Sequence, residues 1–292
     1  MTIISKAIYE LPESERFIKI SNGIKIKSDE KDGSGHLKEK VAIVLPTYNE
    51  RENLLLLIPV IQEIFEKRDI NGYLIIVDDN SKDGTAKIAI RFARTYQNIV
   101  VIQRPGKLGL GSAYRLGFKK ALDMDMDIIF EMDADLSHRP SYIPEFIKNI
   151  KNTGAGLVIG SRYCGNGATK DWPFTRKLIS HGGNFITRIM LGINKTKDMT
   201  SGFRAYTADT LRAIHFKNFT TNGYAWQIET LYYTTIRQKN VSEIPIVFHE
   251  REIGQSKLGT GDVKEFLVFL LKTMFQRVKK IFHVDEVYFL RK

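Results

Sequence analysis

From residue 41 onward, apolar residues come in short runs separated by stretches of helical spacing. The runs at 41–45, 73–77, 99–103, 128–132 and 156–159 have the length and the polar boundaries of buried strands. Between them, 53–66, 85–96, 112–122 and 142–150 repeat apolar residues at three- and four-residue intervals and predict helices. Strands alternating with helices predict an α/β fold, a Rossmann-like, mainly parallel central sheet with helices on both faces. Pro59 lies inside the first helical pattern and predicts a kink or break, because proline removes a backbone donor. Downstream the pattern loosens. Residues 176–191 and 225–238 predict helices, 241–248 a strand, and 262–283 a long amphipathic helix. In that last helix Val263, Phe266, Leu267, Leu270, Met274, Val278 and Ile281 mark one face. Residues 28–40 are polar, charged and contain glycine. The organisation read from this is an arm and linker at 1–40, a domain at 41–260, and a basic C-terminal helix at 261–292.

Composition narrows the partners. The 292 residues include 44 Lys and Arg against 33 Asp and Glu, a formal charge of +11. Such a balance points to an anionic partner: nucleic acid, a phospholipid surface or phosphorylated ligands. No interleaved aromatic and basic RNA motif appears, which places nucleic acid last among these. The single cysteine, Cys164, excludes an internal disulfide and suits a reducing compartment. No run of eighteen apolar residues exists, so no transmembrane helix is predicted, and the N-terminus has no secretory apolar core.

In open α/β sheets, ligands bind beyond the carboxyl ends of the strands. Four predicted strand ends carry polar sequences: Pro46-Thr47-Tyr48-Asn49-Glu50, Asp78-Asp79-Asn80-Ser81, Asp133-Ala134-Asp135 and Ser161-Arg162-Tyr163. One such sequence is an ordinary turn; four in register predict a binding edge. Asp133 and Asp135 stand at i and i+2, on one side of an extended segment. They repel unless a cation lies between them, and a hard divalent ion shared with substrate phosphates suits the pair. Two solvated aspartates in a turn is the alternative. Tyr48 can stack on a base, Asp79 or Glu50 can accept hydrogen bonds from base or ribose, and Arg162 can clamp a phosphate oxygen. Together they suit a nucleotide diphosphate. Other motifs fail. Gly106 and Gly111 have P-loop spacing, but Ser112 stands where the lysine must be, which leaves a Gly-rich loop carrying Lys107. The segment 109–114 lacks the third small residue of a dinucleotide fingerprint. His249-Glu250 begins like a zinc-protease helix, but Ile253 replaces the second histidine.

The segments LPTYNERENL (45–54), VDDNSKDGT (77–85), KLGLGSAY (107–114), MDADLSHRP (132–140), GSRYCGNG (160–167), TSGFRAY (200–206) and GQSKLG (254–259) resemble, in order, the dolichyl-phosphate mannosyltransferase catalytic subunits of glycosyltransferase family 2. The resemblance covers about 41–260 and implies a GT-A fold. It implies mannose transfer from GDP-mannose to dolichyl or another polyprenyl phosphate, with inversion and with Mg²⁺ or Mn²⁺ as cofactor. It places Pro46, Tyr48, Glu50, Val77 and Asp79 on the nucleoside, and Asp133, Ala134 and Asp135 around metal and diphosphate, with Ser137 just after them. Arg162, Arg176, Arg251 and Lys257 bind phosphates of donor or acceptor, with Ser180 beside the acceptor phosphate. Asp133, Asp135, Arg162 and Arg251 would carry the chemistry. Ala225 offers no polar group where some relatives have a basic one.

The chemistry agrees with that implication. A lipid phosphate monoester has its second pKa near ~6 and is already a nucleophile at neutral pH. A dedicated base is less necessary than for a hydroxyl acceptor, and the demands are positioning and charge stabilisation. The helices at 176–191 and 262–283 are basic and amphipathic, so they either lie in an anionic membrane interface or pack on the sheet. With no predicted span, attachment is peripheral on the cytoplasmic face or through a separate small membrane-anchoring subunit. Transfer of glucose from UDP-glucose is the nearest rival, and a non-catalytic membrane or nucleic-acid binding module a distant one.

Overall fold

The computed structural model describes residues 19–20, 38–170, 172–223, 225–250 and 260–281. Its centre is an eight-stranded sheet. In chain order the elements begin with β1 (Lys19–Ile20), β2 (Lys40–Thr47), α1 (Arg51–Lys67), β3 (Asn71–Asp78), α2 (Thr85–Tyr96) and β4 (Ile99–Gln103). They continue with α3 (Leu110–Asp123), β5 (Ile128–Glu131), α4 (Ile143–Thr153), β6 (Leu157–Ser161) and β7 (Ala168–Thr169). The second half adds α5 (Phe174–Leu191), β8 (Arg204–Thr207), α6 (Ala208–Ile214), α7 (Trp226–Ile236), β9 (Val241–Pro245), β10 (Val247–Phe248) and α8 (Thr260–Ile281).

The sheet order is β1-β4-β3-β2-β5-β8-β6-β9. Strands β2 to β5 run parallel, as the alternation of strand and helix predicts, and β8 runs antiparallel to both neighbours. All eight residues of β3 are buried, as expected of a strand covered by helices on both faces. Alternation along β2 feeds two cores: Ala42 and Val44 pack with Tyr114, Phe118 and Trp226, while Ile43 and Leu45 pack with Leu54, Ile58 and Phe146. Gly117 lets α3 lie close to the sheet, since a Cβ there would sit 2.2 Å from Val44 Cγ1.

Three expectations change. Helix α1 continues through Pro59 without a break. Pro59 is half-buried beside exposed Leu55 and Leu56, so the carbonyl that loses its partner lies toward water. The strand expected over 241–248 is two strands in two sheets, divided at buried Ile246. Most consequential, β8 and α6 were not expected, and β8 occupies the slot between β5 and β6. The fifth strand end is thereby moved one strand further from the fourth, to roughly 10 Å at the usual inter-strand spacing.

Candidate active site

The carboxyl ends of β2, β3 and β5 open into one cavity of about 150 Å³. It is lined by Pro46, Thr47, Tyr48 and Glu50 after β2, Asp79 after β3, and Asp133, Ala134 and Asp135 after β5, with Lys107, Gly109, Leu110, Ala113 and Gly223 completing the wall. Each of the three strands turns away through a left-handed residue: Asn49 (φ 56°), Asn80 (φ 58°) and Leu136 (φ 65°). Asparagine tolerates that conformation, whereas for Leu136 it costs about 1–2 kcal/mol. Strain of this kind collects at functional sites, and here it sets the spacing of Asp135 and Ser137.

The first two loops lock each other. Asn49 N–H donates to Ser81 Oγ at 2.8 Å, Lys82 N–H to Asn49 Oδ1 at 3.0 Å, and Glu50 N–H to Thr85 Oγ1 at 2.9 Å. Asp78 ties both, its Oδ1 accepting from Thr47 Oγ1 at 3.1 Å and from Ser81 Oγ at 2.5 Å. Tyr48 and Asp79 are thus presented on a rigid edge, and Lys107 Nζ lies 5.1 Å from the Tyr48 ring centroid. Asp79 is nearly buried. Its Oδ1 accepts from Arg104 Nε at 2.5 Å and its Oδ2 from Leu108 N–H at 3.1 Å. Arg104 also donates to Ser112 Oγ (2.6 Å) and Gly109 O (3.0 Å), which shapes the Gly-rich loop around Asp79.

At β5 the two carboxylates are held differently. Asp135 Oδ1 accepts from Ser137 N–H at 3.1 Å, and Asp133 Oδ1 accepts from the Tyr114 hydroxyl at 3.0 Å. Burial first, then the negative Asp133, push the Tyr114 phenol well above its usual range, so it stays a donor. Behind them Glu131 is fully buried and accepts from Gln227 Nε2 at 2.9 Å and Tyr206 Oη at 3.2 Å. Burial, reinforced by Asp133 and opposed by Arg204, pushes the Glu131 carboxyl up to about 8. Gly202 stands between these groups: a Cβ there would lie 3.4 Å from Asp133 Oδ2 and 3.7 Å from Gln227 Nε2.

Several expected site residues lie elsewhere. Val77 is wholly core, and it does not line the cavity. Ser137 is fully buried, and its Oγ has no hydrogen-bond partner among the described residues. Arg162 does not line the cavity, because β8 displaces its strand. Its Nε and Nη2 pair with the two oxygens of fully buried Asp198, both at 2.7 Å, and Nη2 also reaches Thr200 Oγ1 at 2.8 Å. Against the opposition of burial, that guanidinium holds the Asp198 carboxyl below its usual range. On α5, Arg176 pairs with Glu250 at 2.6 Å and stacks 4.2 Å from the Trp172 ring. One turn on, Ser180 Oγ meets Tyr163 Oη at 2.7 Å. Arg251 and Lys257 lie outside the described residues.

Sequence reasoning missed Arg104, Tyr114 and Glu131. Arg104 had a signal, since it directly follows the third apolar run; the other two sit at positions indistinguishable from core residues.

The family model described as glycosyl transferase family 2 matches residues 42–214. The undecaprenyl-phosphate mannosyltransferase of Micrococcus luteus is 41% identical over 229 residues, covering 78% of this chain and 91% of that protein. The polyprenol monophosphomannose synthase of Mycolicibacterium smegmatis is 35% identical over 228 residues, 78% of this chain and 84% of that one. Glucosyl-3-phosphoglycerate synthase of Mycobacterium tuberculosis, in its phosphoglyceric acid complex, superposes with a TM-score of 0.57 at 18% identity, over 82% of this chain and 80% of that chain. Its complex with Mn²⁺, uridine diphosphate and phosphoglyceric acid gives 0.57 at 17% identity, over 82% and 78%. The solved structures share the GT-A fold, and the sequence match goes further: this chain belongs to glycosyl transferase family 2.

Proposed function

We infer that this glycosyltransferase moves mannose from GDP-mannose to a polyprenyl phosphate such as dolichyl phosphate, inverting the anomeric centre to give the β-mannosyl phospholipid. The observation that carries the reading is the convergence of Tyr48, Glu50, Asp79, Asp133 and Asp135 in one cavity of a chain 41% identical to a mannosyltransferase that takes undecaprenyl phosphate. Pro46, Tyr48, Glu50 and Asp79 receive the nucleoside, and Lys107 beside Tyr48 adds positive charge at the mouth. Asp79 reaches the base as a carboxylate already oriented by Arg104. Asp133 and Asp135 face the diphosphate.

The donor set fits Mg²⁺ or Mn²⁺. It offers hard carboxylate oxygens from two residues, and among the described residues no cluster of three or more His, Cys, Asp or Glu would form a closed metal centre. That suits an ion completed by substrate phosphate, and the M. tuberculosis relative of the same fold has been solved with Mn²⁺. When bound, the ion neutralises charge on the departing diphosphate. Arg176 and Ser180, with Arg251 and Lys257, present the lipid phosphate. Arg162 acts by holding the segment 198–200 in place rather than by touching phosphate.

No described helix is long and apolar enough to cross a membrane. Helices α5 and α8 pack on each other, and α8 buries Phe269 and Leu270 in the core. Their outer faces expose Leu178, Phe185, Ile186 and Ile189 on α5, and Leu267, Val268, Leu271, Met274 and Phe275 on α8. Leu267 and Met274, expected to share one buried or interfacial face with Leu270, are thus separated from it. This shared apolar surface, on a chain of charge +11, suits peripheral binding to an anionic bilayer from the cytoplasmic side, with or without an anchoring subunit.

The test is sugar transfer by purified protein to polyprenyl phosphate in vesicles with Mg²⁺ or Mn²⁺. GDP-mannose is expected to serve as donor, and Asp135→Asn to abolish transfer. Transfer from UDP-glucose but not GDP-mannose would overturn the donor assignment, and an active Asp135→Asn enzyme would overturn the role of the carboxylate pair.

A further inference from the structure

Among the described residues, Gly223 is the only cavity-lining position beyond Asp135. It ends the segment 220–223, whose four successive backbone amides are all held by carboxylates. Glu229, at the start of α7, accepts from Thr220 N–H at 3.3 Å and Thr221 N–H at 3.0 Å. Glu265, on α8, accepts from Asn222 N–H with Oε1 and from Gly223 N–H with Oε2, both at 2.8 Å. The other side of the segment rests on the Gly-rich loop: Gly111 N–H donates to Asn222 O at 2.7 Å. Gly109, at φ +97°, makes that approach feasible, because a Cβ there would sit 2.5 Å from Asn222 O. The segment is therefore clamped between the loop that carries Lys107 and the helix whose outer face is apolar.

We propose that Glu265 is a positioning residue of the donor cavity, so that α8 shapes nucleotide binding as well as offering a lipid-facing surface. The inference rests on the cavity being the nucleotide site. Two charge-assisted bonds to adjacent amides fix both the position and the rotation of the peptide that places Gly223 in the wall. Glu229 is buried in the body of the domain and secures the first half of the segment. The second half, which touches the cavity, depends on Glu265 of α8. An amide at 265 is neutral, offers one acceptor oxygen instead of two and turns an NH₂ toward the peptide, so Glu265→Gln loses the equivalent of at least one charge-assisted bond from the clamp.

The experiment compares full-length wild type, Glu265→Gln and Leu271→Ser. GDP binding is measured by calorimetry with Mn²⁺, alongside KM and kcat for the sugar nucleotide, thermal unfolding, and co-sedimentation with vesicles carrying polyprenyl phosphate. Glu265→Gln is expected to weaken GDP binding and raise the donor KM about tenfold, the loss of one charge-assisted bond, with kcat and vesicle binding near wild type. Leu271→Ser, on the exposed face of the same helix, is expected to lose vesicle binding and keep wild-type GDP affinity. Unchanged GDP affinity in Glu265→Gln would overturn the proposal, whatever the melting temperature does. Equal loss of GDP affinity in both variants would also overturn it, since any disturbance of α8 would then suffice. Absence of GDP binding by the wild type is a different result: it would remove the underlying assignment of the cavity.

Discussion

Asp198→Asn tests what Arg162 is for. In the folded protein, Asp198 is fully buried and Arg162 nearly so. Asp198 accepts three bonds from Arg162, from the backbone N–H at 2.9 Å and from Nε and Nη2 at 2.7 Å. The rings of Tyr163, Trp172 and Phe248, 5.2 to 5.7 Å away, leave little water around the guanidinium. Asparagine keeps the shape but turns an NH₂ toward one guanidinium nitrogen and leaves the positive charge uncompensated. Breaking one side of a buried pair costs about 3–5 kcal/mol. At the lower end the melting temperature should fall by roughly 6–12 °C for a chain of this size. Urea unfolding followed by tryptophan fluorescence, together with donor KM, reads both consequences. The donor KM of the folded variant should stay near wild type, because the pair lies off the cavity. The sign of the pH dependence follows from the depressed carboxyl of Asp198. Its contribution is complete above the unfolded value near ~3.9 and is lost as pH falls through the lower folded value. Wild type should therefore shed stability below about pH 4, and Asp198→Asn should lack that component. A destabilisation under about 1 kcal/mol, or a tenfold rise in KM at unchanged stability, would refute the reasoning and restore Arg162 as a phosphate clamp.

Three further outcomes are expected. Tyr114→Phe removes the donor to Asp133 and should weaken Mn²⁺ binding in the presence of GDP about tenfold, read by electron paramagnetic resonance; an unchanged Mn²⁺ titration would count against the contact. Gly117→Ala places a methyl 2.2 Å from Val44 Cγ1. Overpacking of about 1–3 kcal/mol should exceed the helical gain of roughly 1 kcal/mol, and adding Val44→Ala should recover much of the loss in chemical denaturation. Phe275→Ser, at a side chain 60% exposed, should change stability by less than about 0.5 kcal/mol while reducing vesicle sedimentation; undiminished sedimentation would argue against α8 as the contact.

Periodicity made the parallel half of the fold legible, because β2 to β5 and their helices are sorted by burial alone. Strand-end position made Tyr48, Asp79 and the Asp133–Asp135 pair legible for the same reason. The rest was hidden by chemistry that contradicts composition. Strand β8 reads Arg-Ala-Tyr-Thr, a polar sequence, yet Arg204 is fully buried, donating to Met199 O at 2.8 Å and Ser201 O at 2.7 Å. No pattern of apolar residues signals a strand whose largest side chain is a buried arginine satisfied by carbonyls. Strand β8 stands between the fourth and fifth predicted strand ends, and Arg162, expected on their common edge, does not line the cavity. Pro59 misled for the opposite reason, since the rule about proline assumes a carbonyl with nowhere else to turn.

The placement of β8 also orders events during synthesis. Strand β6 is complete at Ser161, but the strand that joins it to β5 begins only at Arg204. A ribosome-bound chain that has exposed β2 to β6 has the Asp133–Asp135 motif, yet β5 presents an open edge, and Glu131 lacks Tyr206 and Gln227. Such an edge invites pairing with another chain. Closing the sheet requires a non-local strand inserted antiparallel between two existing ones, the kind of contact that slows folding. The edge of β5 is therefore covered only once the chain reaches Thr207, the partner of Ile128 in the ladder.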